Sequence, residues 1–99
     1  MAYEIEYTEF AVQDLDGLDG SVRRLALKQI EKIAEKPELG KPLGRVGGMD
    51  LTGYRKLYFT RKSYRVVYRV IEARKMVEVV SIGRRARMEI YEEVRRRLK

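Results

Sequence analysis

From Tyr64 to Val70 the chain reads Tyr-Arg-Val-Val-Tyr-Arg-Val, and no other stretch restricts the possible folds so strongly. A period of two sends Tyr64, Val66, Tyr68 and Val70 to one side and Arg65, Val67 and Arg69 to the other. Such a strand has one apolar face that needs a core and one face that carries arginine. The runs Tyr54 to Phe59 and Met76 to Ile82 flank it through Thr60-Arg61-Lys62-Ser63 and Glu72-Ala73-Arg74-Lys75. Both connections are short enough for hairpins, so three antiparallel neighbours are expected. With Leu57 and Phe59 turned to the core, Tyr54, Lys56 and Tyr58 join Arg65 and Arg69 on the other face.

The remainder supplies what that apolar face needs. Tyr3-Glu4-Ile5-Glu6-Tyr7 alternates as a half-buried strand does. Thr8 is placed to cap a short helix containing Phe10, Ala11 and Leu15, broken by Asp16-Gly17 and Asp19-Gly20. From about Ser21 to Lys36, Val22, Leu25, Ala26, Ile30 and Ile33 recur at helical spacing, with Arg23, Lys28, Glu31, Lys32 and Glu35 opposite, and Pro37 ends the run. The two helices form a hairpin expected to lie across the sheet. Residues 37 to 53 hold both prolines and five of the eight glycines, which reads as a long loop with little regular structure. Gly44, Gly47 and Gly48 make no phosphate cradle, since no Gly-Lys-Ser/Thr follows.

Ninety-nine residues suffice for one domain, 1–99, with a modest core. There is no cysteine and no histidine, which excludes disulfides, thiolate zinc sites and imidazole acid-base chemistry. No apolar run approaches membrane-spanning length and the N-terminus lacks a signal pattern, so a soluble cytoplasmic protein without a membrane partner is expected. The net charge of +7 is unevenly spread: residues 1–40 hold 5 Lys+Arg against 9 Asp+Glu, and residues 41–99 hold 17 against 6. An acidic partner for the C-terminal part follows, nucleic acid first among the candidates.

Ser81-Ile82-Gly83-Arg84-Arg85-Ala86-Arg87-Met88-Glu89-Ile90-Tyr91 marks a strand-to-helix junction at which any polyanion would be held. Ile90, Val94 and Leu98 give the terminal helix an apolar seam, with Tyr91 beside it and within a turn of Arg87 and Arg95. The expected fold class is therefore α+β: an N-terminal strand and helical hairpin packed on a small antiparallel sheet, with a basic C-terminal helix.

That order of elements resembles the RelE/ParE toxin superfamily over nearly the whole chain. The resemblance is carried by Leu-Thr-Gly-Tyr-Arg-Lys-Leu at 51–57, Tyr-Arg-Val-Val-Tyr-Arg-Val at 64–70 and the junction at 81–91, the last most similar to RelE. It implies a toxin of a type II toxin-antitoxin system that cuts messenger RNA in the ribosomal A site and is restrained by a cognate acidic antitoxin. Lys56, Arg65, Arg85 and Tyr91 match the family's functional positions. RelE carries a second lysine two residues before the one matched by Lys56; here Tyr54, or Arg55 after a slip of one residue, stands there, and the hairpin at Thr60 to Ser63 reads as two residues longer.

Attack of a ribose 2′-hydroxyl on the adjacent phosphate needs a proton removed, phosphorane charge stabilised and the leaving 5′-oxygen protonated, without metal or other cofactor. Arginine forks at Arg65 and Arg85 match phosphate oxygens. Tyr91 would stack on a base or hold the ribose in line. Lys56 is the candidate for proton removal, Tyr91 or ribosomal RNA groups being the alternatives. Tyr54, Arg55, Arg69, Arg84, Arg87 and Arg95 complete the expected RNA-binding set. Competing readings are a ParE-like DNA gyrase inhibitor and a catalytically silent RNA-binding module.

Overall fold

The computed structural model describes residues 2–46 and 48–84. Strand β1 (Glu4–Tyr7) leads into helices α1 (Glu9–Asp16) and α2 (Gly20–Glu35), and β2 (Lys41–Val46), β3 (Met49–Phe59), β4 (Tyr64–Ile71) and β5 (Met76–Arg84) follow. Short 3₁₀ turns at Pro37–Leu39 and Glu72–Arg74 precede β2 and β5. The strands form one five-stranded sheet in the order β1-β5-β4-β3-β2.

The three-stranded meander is as the sequence implies, with β3–β4 and β4–β5 both antiparallel. Two features extend it. The stretch 37–53, expected as an irregular loop, instead contributes β2 and the first residues of β3, paired antiparallel around the turn at Gly48. Three of its glycines, Gly44, Gly48 and Gly53, have φ of 61°, 82° and 93°, in the left-handed region that favours glycine. β1 adds to the far edge parallel to β5, so the sheet is mixed rather than wholly antiparallel. A parallel neighbour requires a connection that returns across the sheet, and the long path from β1 through both helices to β5 provides it.

The helices are set by their ends. The Thr8 hydroxyl accepts from Ala11 N–H at 3.1 Å and donates to Val80 O at 3.2 Å, so one side chain caps α1 and ties it to β5. Asp19 caps α2, accepting from Ser21 N–H and its hydroxyl, and these two bonds hold its carboxyl below the usual range. Arg23, expected on the solvent side, donates instead to the carbonyls of Leu15, Asp16 and Leu18. It satisfies acceptors left over at the end of α1, which explains how so tight a link between two helices holds.

Ala26, Ile30 and Ile33 of α2 and Ala11 of α1 pack on Phe59, Val66, Tyr68, Val77, Val79 and Ile82. Leu25, expected on that seam, is exposed. The opposite sheet face has a smaller cluster, Leu51, Val67 and Val80, with Leu43 and Tyr54 against it. Val79 and Ile82 both reach the helix side although residues three apart on a regular strand face opposite ways. A register shift between Val67 and Tyr68 of β4, against β5, accounts for this: the bulge inserts one residue and resets the alternation. Beyond it, the Asp14 carboxylate of α1 accepts from Ile82 N–H at 3.0 Å, holding the end of β5 in place.

Candidate functional site

The reset register brings Gly83 directly opposite Arg65, and Arg65 in turn lies opposite Tyr58 of β3. Gly83 adds no side chain to this row, whereas Tyr58 adds a ring. Arg65 is only 2% exposed, the most buried charge among the described residues. A guanidinium keeps its charge on burial and so must be held by its surroundings. Its central carbon lies 5.5 Å from the Tyr58 ring centroid, and Lys56 Nζ lies 5.1 Å from the same ring. Both distances are within the range of attraction between a cation and an aromatic face.

Two rows further along, beyond the pair Lys56 and Val67, Tyr54, Arg69 and Glu78 stand side by side across β3, β4 and β5. Arg69 Nε donates to Glu78 Oε1 at 2.6 Å, and this bond raises the guanidinium's pKa above its ordinary value. The Arg69 carbon sits 5.8 Å from the Tyr54 centroid. Expected as one of the RNA-binding residues, Arg69 is charge-compensated by Glu78. What it offers is a flat surface beside Tyr54, suited to stacking on a base. Glu78 was discoverable in advance, because pairing Ile71 with Met76 across the short connection makes Arg69 and Glu78 cross-strand partners.

Two expected nucleic-acid contacts lie elsewhere. Arg55 pairs with Tyr68, so its side chain is on the helix side, where it donates to Gly40 O at 2.7 Å and Glu38 O at 3.4 Å. That role is bracing of the turn before β2, and the slip that would bring Arg55 to the Arg65 face does not occur. Arg84 pairs with Tyr64 and its guanidinium carbon lies 5.3 Å from the Tyr64 ring, which stacks on Phe59 at 5.6 Å. It too is on the side away from Arg65. Arg85, Arg87, Tyr91, Arg95 and the terminal helix lie outside the described residues.

The structure adds Lys41, which pairs with Lys56 across β2 and β3. Reading 37–53 as a loop concealed it. Tyr68 anchors this corner from the core side: its buried hydroxyl donates to Pro37 O at 2.7 Å and accepts from Gly40 N–H at 2.8 Å. Between Asp50 and Glu72 the chain has six Lys+Arg and no carboxylate, and on this sheet face Lys41 is exposed, Lys56 half-buried and Arg65 buried.

A mixed five-stranded sheet covered on one side by a helical hairpin, with a buried arginine and a half-buried lysine on the other, defines a small α+β protein. Comparison with known proteins specifies the class. Residues 5–89 match the family model described as ParE toxin of type II toxin-antitoxin systems, parDE. The chain is 31% identical over 98 residues to the mRNA interferase toxin RelE of Escherichia coli strain K12, covering 99% of each. Among solved structures it is similar to E. coli RelE with two arginines replaced by alanine, in the free state, at a TM-score of 0.77 and 30% identity over all of both chains. It also resembles the RelBE2 toxin-antitoxin complex of Mycobacterium tuberculosis, at a TM-score of 0.74 and 23% identity, over 86% of this chain and 100% of that one.

The fold is thus that of the RelE/ParE toxins. The chain belongs to this superfamily and is a RelE-like toxin of the type II toxin-antitoxin class.

Proposed function

We propose that this toxin is an endoribonuclease that cuts messenger RNA in the ribosomal A site, in the cytoplasm, and is held inactive by a cognate acidic antitoxin. The observation that carries the reading is the convergence of Lys56, Tyr58 and Arg65 on one sheet face, with both cations within 5.5 Å of one ring. In the E. coli relative, named an mRNA interferase, the same fold serves a toxin. A structure of RelE bound to a peptide of the antitoxin RelB supports the partner assignment.

The chemistry proposed is attack of the ribose 2′-oxygen on the adjacent phosphorus, forming a 2′,3′-cyclic phosphate as the bond to the 5′-oxygen breaks and that oxygen takes up a proton from water. Lys56 accepts the 2′-hydroxyl proton, the cations beside it favouring its neutral form. Arg65 faces the growing phosphorane charge as a preorganised fork, and Arg85 is assigned the same task. Tyr91 orients the ribose for in-line attack. The route needs no metal. The antitoxin would lay an acidic strand or helix over the cationic face and cover these groups.

Primer extension on messages incubated with purified toxin tests this directly. Cleaved ends should appear with ribosomes and be absent without them. Arg85→Ala and Tyr91→Ala should relieve growth arrest while the proteins remain folded; full toxicity in both rejects the proposal. The ParE description of the matching family favours a second reading, inhibition of DNA gyrase. Supercoiling that stays normal with purified toxin excludes it.

A further inference from the structure

Tyr58 is the one described residue whose ring meets both cations assigned above to proton removal and charge stabilisation. Lys56 precedes it by two on β3 and therefore shares its face, while Arg65 lies across from it on β4. Two like charges on adjacent rows repel, and lysine's four-carbon stem can turn its ammonium away from the arginine at little cost. A ring that attracts each through its π face opposes that departure. An aromatic side chain, with few torsions to fix, keeps its own place on the sheet.

We propose that Tyr58 is a positioning residue for RNA cleavage: its ring holds the Lys56 ammonium and the Arg65 guanidinium at one spacing, so that proton acceptor and phosphate clamp meet the same ribose-phosphate unit. The inference rests on the ribonuclease reading above. It assigns the work to the ring and none to the phenol hydroxyl, so phenylalanine should serve and an aliphatic residue should not.

The test compares wild type, Tyr58→Phe and Tyr58→Leu in single-turnover cleavage of ribosome-bound message across pH. Tyr58→Phe should keep its rate within about twofold, and Tyr58→Leu should be about tenfold slower at unchanged KM. The acid limb of the rate profile should move to lower pH in Tyr58→Leu alone, because losing the ring removes an attraction that favours charged Lys56. In the resting protein, 13C-methylated Lys56, assigned through Lys56→Arg, should carry an upfield ring-current shift in wild type and Tyr58→Phe that vanishes in Tyr58→Leu. Wild-type rates and limb in Tyr58→Leu, or equal losses in Phe and Leu, overturn the inference while leaving the ribonuclease reading intact. Wild-type protein that cuts nothing rejects that reading itself, and a ring-current shift that persists in Tyr58→Leu then removes the positional claim as well.

Discussion

Replacing Tyr68 by Phe removes one oxygen atom and should unfold the corner on which Lys41 and Lys56 meet. Tyr68 is fully buried, and its hydroxyl is bonded twice, to Pro37 O and Gly40 N–H. The ring would remain, so hydrophobic packing changes little and the cost is that of two stranded backbone groups. Each buried group left without a partner costs about 1–3 kcal/mol. Allowing for relaxation of the turn, the total should be about 2–4 kcal/mol, a large share of the stability of a small domain. Urea unfolding followed by circular dichroism should show the midpoint falling by about 2–4 M with the slope unchanged, taking a slope near 1 kcal/mol/M. The same substitution should alter the response to alkali. Burial raises the Tyr68 pKa above its ordinary 10.0, so the unfolded chain releases that proton first. The associated stability is fully present below pH 10 and is lost as pH rises through the folded value, a loss that Tyr68→Phe should lack. A midpoint within about 0.3 M of wild type would refute the reasoning, since it would mean that Pro37 and Gly40 do not depend on this hydroxyl.

Gly40→Ala should be destabilising at the same corner, because a Cβ there would lie 2.7 Å from Lys56 O and 2.7 Å from the Tyr68 hydroxyl. A loss of about 1–3 kcal/mol in the same urea assay is expected, and a neutral result would show that β2 can shift away freely. Glu78→Gln should leave stability within about 1 kcal/mol, since the pair is partly exposed, yet uncover the Arg69 charge. RNA affinity should then rise at low salt, with the slope of log K against log salt steepening by up to about one; an unchanged slope would show that Arg69 does not approach phosphate.

The sheet's central rows were legible in the chain because period-two alternation and short connections are local properties. They identify Lys56, Tyr58, Arg65 and Arg69 as sharing a face before any tertiary contact is known. The cap at Thr8 and the helical spacing of Ala26, Ile30 and Ile33 belong to the same category, whereas Asp19, read only as a helix breaker, is the cap of α2. What eluded that reading depends on partners distant in sequence. Glycine and proline between 37 and 53 indicate bends, but whether bends join strands is decided by a neighbouring edge, here β3, which recruits Lys41 to the row of Lys56.

The amino-acid order by itself determined which side of the central strands faces the core and which carries arginine, and the resemblance to RelE/ParE toxins that these motifs carry. Only the tertiary structure decided which cations lie together. Glu78 compensates Arg69, the turn carbonyls engage Arg55, Tyr64 draws Arg84 to the other side, and a bulge in β5 aligns Gly83 with Arg65. The physical reason is that a charge's chemistry depends on the few ångströms around it, and those neighbours are assembled by register across strands.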